Sequence, residues 1–264
     1  MKPLVFLGGG RITSALIAGL RLAKFGRPIV VHDRHARKLQ QLRHQYRVIG
    51  EANLQRAVES AGLLIIAVRP DSVRELLKEI APHIQRPLTA VSLAAGVPLA
   101  KLREAGGPRV RWMRAMPSPV CRSGCGLTAL AFDREVPSAK RVEVRKLFAL
   151  VGRVIEVPEK QFDAFTVTFS SSHGYHALAT LIAAAEIIGL DLKTARMAAT
   201  HALADGIDAW RKGNVPLQEL LQEAATPGGT AAAVMTSLDR AGYKNILKQG
   251  LRAGIRQARK NAAR

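Results

Sequence analysis

Gly8, Gly9 and Gly10 follow the apolar run Leu4–Leu7, and the apolar residues after them, Ile12, Ala15, Leu16 and Leu20, recur at helical spacing. A strand, a tight turn and a helix in that order can bring a diphosphate against bare backbone. At a helix N-terminus, free N–H groups and the helix dipole favour negative charge. Gly8 permits the sharp turn, and Gly10 takes a Cβ out of the phosphate's path. Arg11 and Ile12 open the helix beside it. The dinucleotide fingerprint G-x-G-x-x-G is imperfect, because Thr13 stands at the third glycine. An ordinary strand–helix turn of an α/β protein is the alternative reading.

Asp33 closes a second apolar strand, Pro28–His32. About 20 residues past the glycines, an acidic side chain commonly binds the ribose hydroxyls of NAD. Arg34, His35, Arg37 and Lys38 come next and could surround a 2′-phosphate, which would select NADP. Asp33 argues for one cofactor and Arg34 for the other, and the basic group also reads as a solvated helix start. Leu63–Val68 is the clearest buried strand, stopped by Arg69-Pro70 because proline cannot extend the ladder. Val68, Arg69 and Pro70 therefore fall at the strand's C-terminal edge, where ligands of open α/β sheets bind. Leu88–Leu93 runs into Ala94-Ala95-Gly96, small residues against which a flat ring can lie.

These edges need a sheet to hold them. Val73, Leu76, Leu77 and Ile80 mark one helix face, Val110–Met116 and Gly126–Phe132 two more strands, Ala139–Val151 a helix and Val154–Val157 a last strand. Strands alternating with helices imply a mostly parallel, doubly wound sheet. After Pro158 the pattern turns helical. Tyr175–Ile188 is apolar nearly all round, which places it in a core or an oligomer interface. Helices over Leu192–Trp210, Pro216–Gln222 and Ala231–Arg240, and from Lys244 to the end, follow it, with a turn at Thr226–Thr230. The expected organisation is α/β: a doubly wound, Rossmann-type dinucleotide-binding domain over 1–158, then an all-helical domain over 159–264.

Composition narrows the function. The 264 residues carry a formal charge of +20, but the basic residues are spread along the chain and aromatics make up only 5%. That disfavours a stacking platform for nucleic acid and suits an enzyme with anionic ligands. No run of about 18 apolar residues offers a membrane span, and the start lacks the features of a secretory leader. Cys121 and Cys125, four apart with no second pair, form neither a disulfide framework nor a zinc pattern. A reduced, cytoplasmic protein without a metal is expected. Lys244, Lys248, Arg252, Arg256, Lys260 and Arg264 recur every four residues and read as a solvated basic stripe.

Several motifs then fall in one order: Gly8-x-Gly10 with Ala15, Ala67-Val68-Arg69-Pro70, Ser92-Leu93-Ala94-Ala95-Gly96-Val97, Arg114-Ala115-Met116-Pro117, Phe162-Asp163-Ala164 with Thr166, and Pro227-Gly228-Gly229-Thr230. The chain resembles the pyrroline-5-carboxylate reductase family, which has A-V-K-P, S-I-A-A-G-I, R-x-M-P, F-D-A-x-T and S-P-G-G-T-T at these places. The resemblance implies reduction of a cyclic imine to proline by NAD(P)H, with NADP(H) favoured and NAD(H) the alternative. It also implies a homodimer or higher homo-oligomer through the C-terminal helices, which makes 159–264 a dimerisation and substrate domain, with Met116, Pro117 and Ser118 near the nicotinamide. Backbone N–H groups of Gly228, Gly229 and Thr230 would hold a substrate carboxylate.

The departures lie on the substrate side. The family's M-P-N-T-P is Met116-Pro117-Ser118-Pro119-Val120, and its S-G-S-G-P-A-Y is Phe169-Ser170-Ser171-Ser172-His173-Gly174-Tyr175. Ser171 and Tyr175 match. The second threonine of S-P-G-G-T-T, expected to meet the imine nitrogen, is Ala231, and Thr230 points about 100° elsewhere on a helix start. His173 is the natural replacement donor, since imidazole can donate near neutral pH, although it reads equally as a partly exposed helix-start histidine. His176 reads as structural, and His201, mid-helix, as a core or surface residue. Ser171, His173, Tyr175 and Thr230 are thus the candidate catalytic residues. The alternatives are a related imine, imino-acid or keto-acid reductase with a changed substrate, and a non-catalytic dinucleotide-binding sensor or partner protein.

Overall fold

The computed structural model describes residues 2–263, which divide into two compact units: 2–169 with 253–263, and 170–252. In the first, β1 (Leu4–Leu7), α1 (Arg11–Leu22), β2 (Ile29–His32), α2 (Ala36–Tyr46), β3 (Ile49–Gly50) and α3 (Leu54–Ser60) build one half of a sheet. The other half is β4 (Leu63–Ile66), α4 (Val73–Ile80), β5 (Leu88–Ser92), α5 (Leu99–Gly106), β6 (Val110–Pro117), β7 (Gly126–Phe132), α6 (Ser138–Ala149) and β8 (Gly152–Glu156), followed by α7 (Glu159–Thr168). The strand order is β3-β2-β1-β4-β5-β6-β7-β8. Every pair is parallel except β6 with β7. The nine residues between Met116 and Gly126 are too few for a crossover, which needs a dozen or more, so β7 turns back instead.

Both faces of the sheet are covered, which is why its central strands β1 and β4 are continuous apolar runs rather than alternating ones. Leu4 and Phe6 of β1 join a cluster with Leu16, Leu20, Val144 and Phe148, from α1 and α6. Val5 and Leu7 point the other way, to Val58, Leu77, Ile80 and Leu102, from α3, α4 and α5.

A buried charge holds α7 on this sheet. Arg114 of β6 is 1% exposed. Its guanidinium donates to Glu159 Oε1 at 3.1 Å and to Asp163 Oδ1 at 3.0 Å, and it lies 4.3 Å over the Phe162 ring. Glu159 Oε1 also accepts the Leu99 N–H that opens α5, and Asp163 Oδ2 takes Arg259 of the C-terminal helix at 3.3 Å.

The second unit holds α8 (Ser172–Ile187), α9 (Leu192–Lys212), α10 (Leu217–Ala224), α11 (Thr230–Arg240) and residues 243–252 of α12 (Tyr243–Ala263). The expected boundary at 158 falls before α7, which groups with the sheet together with residues 253–263. Within the helical unit only Ala195 and Ala199 of α9 are buried hydrophobics among the described residues. In this single chain α8 has no buried residue, and Ile187 and Ile188 are more than four-fifths exposed at 86% and 83%. Of the two places expected for α8, an internal core is therefore excluded. No helix among the described residues is long and apolar enough to cross a membrane.

Replacing Arg114 with alanine removes the guanidinium shared by Glu159 and Asp163, leaving them only the Leu99 N–H and Arg259, and is expected to destabilise the sheet unit by about 3 kcal/mol. Urea denaturation followed by circular dichroism measures this, and a loss below about 1 kcal/mol would show the network to be idle.

Candidate functional site

The chain fills the sheet outward from β1 in one direction and from β4 in the other, so the strand order reverses between these two neighbours. The crevice at their C-terminal ends is the place where such sheets bind ligands. Gly8 ends β1 there with φ +108°, and a Cβ on it would stand 2.6 Å from the Ala67 carbonyl oxygen beyond β4. No other residue fits. Gly10 differs: its φ of −79° is ordinary, and nothing lies within 4 Å of where its Cβ would be. The space in front of Gly10 is open, as a diphosphate needs. The N-terminus of α1 has no side-chain cap and no acidic residue in its first turn, so its N–H groups and its dipole face that space uncompensated.

Thr13 explains the missing third glycine. It is fully buried, and its hydroxyl donates to the Gly8 carbonyl at 2.6 Å. The side chain closes the turn from inside, a role that the fingerprint could not reveal.

A cleft of about 440 Å³ opens at the crevice and brings together Gly8, Gly10, Asp33, Arg34, Val68 and Arg69. His35 and Lys38 line its basic end, Leu54 and Leu76 give apolar wall, and Glu75 and Glu79 face it from α4. Leu54 and α3 escaped the sequence reading; Asn53, which caps α3 by accepting the Arg56 N–H, was the signal available. Arg11 is exposed and Ile12 half-buried on the first turn of α1, and Pro70 starts a short 3-10 turn beyond Arg69.

Asp33 is turned inward. Its Oδ2 accepts the Gly9 N–H at 2.8 Å, and its Oδ1 accepts the His35 N–H at 2.8 Å and meets the His35 ring at the same distance. Lys38 Nζ stands 3.7 Å away. Burial alone would raise this carboxyl, but the two backbone donors, the His35 ring and Lys38 outweigh it and hold it below its ordinary value.

The next strand ends carry the remaining cofactor-side candidates. Ser92 Oγ accepts the Ala94 N–H at 3.3 Å, Ala95 is half-buried, and Gly96 takes φ +76°. A Cβ on Gly96 would lie 2.4 Å from the Ala258 carbonyl oxygen, so the end of α12 presses on this loop. Met116 is half-buried and Pro117 buried at the end of β6, and Ser118 Oγ caps the following turn by accepting the Val120 N–H at 3.2 Å.

In the helical unit the substrate-side candidates open two different helices. Ser171 precedes α8; His173 and Tyr175 occupy its first turn, both exposed. Gly228, at φ +76°, and Gly229 form the turn before α11, with the Gly229 N–H donating to the Thr226 carbonyl at 2.9 Å. Thr230 and Ala231 are the first two residues of α11, whose start has neither a side-chain cap nor an acidic residue. His176 is exposed beside Thr180, and His201 pairs with Asp205 at 2.7 Å on the surface of α9. Lys244, Lys248, Arg252, Arg256 and Lys260 are all exposed, while Arg264 lies outside the described residues.

Comparison with known proteins bears on this arrangement. Residues 159–261 match the family described as pyrroline-5-carboxylate reductase dimerisation, and residues 3–96 match the one described as NADP oxidoreductase, coenzyme F420-dependent. The pyrroline-5-carboxylate reductase of Mycobacterium leprae is 30% identical over 281 residues, covering 96% of this chain and 94% of that protein. The enzyme of that name from Synechocystis is 28% identical over 256 residues, covering 96% and 95%. Among solved structures, a Plasmodium falciparum pyrroline carboxylate reductase with NADP bound superposes with a TM-score of 0.86 at 21% identity, covering 98% of each chain.

The two turn glycines should separate fold from function. Gly8→Ala forces backbone against backbone and is expected to destabilise the protein by about 2 kcal/mol or more. Gly10→Ala should stay within about 0.5 kcal/mol of the parent. Equal thermal shifts for the two variants would contradict the geometry.

Proposed function

The chain belongs to the pyrroline-5-carboxylate reductase family, and we propose that it reduces the C=N bond of a cyclic imine with NADPH, pyrroline-5-carboxylate to proline being the default reaction. The observation that carries this reading is the cleft at the strand-order reversal, with its open approach at Gly10 and its basic end at Arg34, His35 and Lys38. The N–H groups at the start of α1 would bind the diphosphate, with Arg11 and Arg69 adding positive charge beside it. The small residues Ala94, Ala95 and Gly96, with Met116, Pro117 and Ser118, would seat the nicotinamide ring. When bound, the cofactor supplies the hydride. The protein orients the imine carbon and delivers or stabilises the proton on nitrogen. We assign the substrate carboxylate to the turn Gly228–Thr230, through the N–H groups of Gly228 and Thr230, since the Gly229 N–H is held by the Thr226 carbonyl, and the donor to His173, with Ser171 and Tyr175 beside it.

Ala231 favours a second reading, a reductase of this family acting on a different imine. A methyl group replaces the hydroxyl that the family aims at the reacting nitrogen, and a lost polar contact is worth about 1 kcal/mol.

A homo-oligomer joined through the helical unit accounts for the exposed apolar residues of α8 to α12. A unit of this size with two alanines as its buried hydrophobics cannot offset its own chain entropy. The two free thiols suit a reducing cytoplasm.

Purified protein is expected to oxidise NADPH in the presence of pyrroline-5-carboxylate, followed by absorbance; no oxidation with that substrate would refute the default reaction, and turnover of another imine would establish the second reading. His173→Ala should lower kcat by about 100-fold while leaving NADPH affinity intact, and a loss of less than about twofold would remove His173 from the mechanism. Sedimentation should give at least a dimer, and a stable folded monomer would exclude the oligomer.

A further inference from the structure

We propose that Asp33 is a positioning residue that cross-links the glycine turn to the loop between β2 and α2, and that the 2′-phosphate end of the cleft is built through it. A carboxylate at this strand end selects NAD when its oxygens are free to accept from the ribose hydroxyls. Here they are not free. Oδ2 is held by the Gly9 N–H and Oδ1 by the backbone and ring of His35, and the side chain is only 9% exposed. A Cβ on Gly9 would come within 3.4 Å of Oδ2, so the turn and the carboxylate are fitted to one another.

The charge of Asp33 is spent on the same side. It faces the His35 ring and, at 3.7 Å, Lys38 Nζ, and both residues line the cleft. Arg34, between Asp33 and His35, is exposed and has no ion-pair partner among the described residues. One internal anion thus holds two basic side chains in place while a third stays available. That arrangement fits a dianionic phosphate ester, for which guanidinium and ammonium groups are the usual ligands. An inward carboxylate whose oxygens already accept from Gly9 and His35 does not compete for the ligand, as an outward one would. The acidic residue and the basic residues that follow it, which oppose one another in the sequence, act together in the structure.

This inference rests on reading the cleft as a dinucleotide site, and its test separates the two. Binding of NADPH and of NADH is measured by nicotinamide fluorescence titration, without turnover, on the parent and on Asp33→Asn, Arg34→Gln and Lys38→Gln. The amide of Asp33→Asn must turn a donor toward either Gly9 or His35 and no longer holds Lys38. Affinity for NADPH is expected to fall about tenfold and more than that for NADH, so that preference for NADPH shrinks. Arg34→Gln and Lys38→Gln, on the surface and harmless to folding, should weaken NADPH and leave NADH within about twofold. If Asp33 instead faces the ribose, Asp33→Asn weakens NADH more than NADPH, preference for NADPH grows, and the proposal is overturned. NADPH binding unaffected by both surface variants overturns it as well. A parent chain that binds neither cofactor refutes the dinucleotide reading itself, a result distinct from a shift in preference.

Discussion

The constraint on which the site depends is the approach of Gly8 to the Ala67 carbonyl, where a side chain would have to sit 2.6 Å from backbone oxygen. Two neighbouring strands end together at that point, and the chain leaves them in opposite directions. The crevice exists because nothing projects from Gly8 to close it. The rest of the site is arranged around that absence. Thr13 ties the turn from beneath, Asp33 ties it from the side, and α1 points its uncapped end across it. A local conformational freedom, available to glycine alone, therefore sets where charge can be bound.

Much of this was readable in the chain. β1, β2, β4 and β5 stood out because burial on both faces leaves no strict polar alternation: β1 and β4 are unbroken apolar runs, and β2 and β5 are interrupted only by His32, Thr89 and Ser92. The glycine turn, the basic end of the cleft and the small residues after β5 were found because their residue types are tied to their function. What escaped was what depends on distant partners. β3 is two residues long, and α3 buries only Ala57 and Val58, too little for periodicity to register. The direction of Asp33 is decided by a backbone donor 24 positions away, and no local pattern encodes it. The role of Thr13 is similar, since a fingerprint describes what is missing and not what a replacement does.

α8 was the ambiguous element for a different reason. A helix that is apolar all round announces only that it is covered, not by what. In the single chain its residues lie open, and the same holds for α10 and α11, which bury nothing. The sheet unit carries the hydrophobic core, with two clusters pressed onto opposite faces. The helical unit contributes small residues, polar helix starts and apolar surface. Stability and specificity are thus divided between parts of different make-up: Ser118, Pro119, Val120 and Phe169 depart from the family within the sheet unit, and the departures from Ser170 to Gly174 and at Ala231 fall in the part without a core of its own.

The grip of Arg114 on α7 has a meaning beyond charge pairing. Glu159 and Asp163 are four residues apart and so share one face of the helix, and a single guanidinium holds both while Phe162 fills the space beneath it. Greasy packing alone would let a helix roll or slip by a residue at modest cost. A planar fork with two fixed carboxylates does not, because any displacement loses both contacts at once. The pair behaves as an index mark that sets the rotation and axial register of α7, and with it the point in space from which residue 170 departs from the sheet unit.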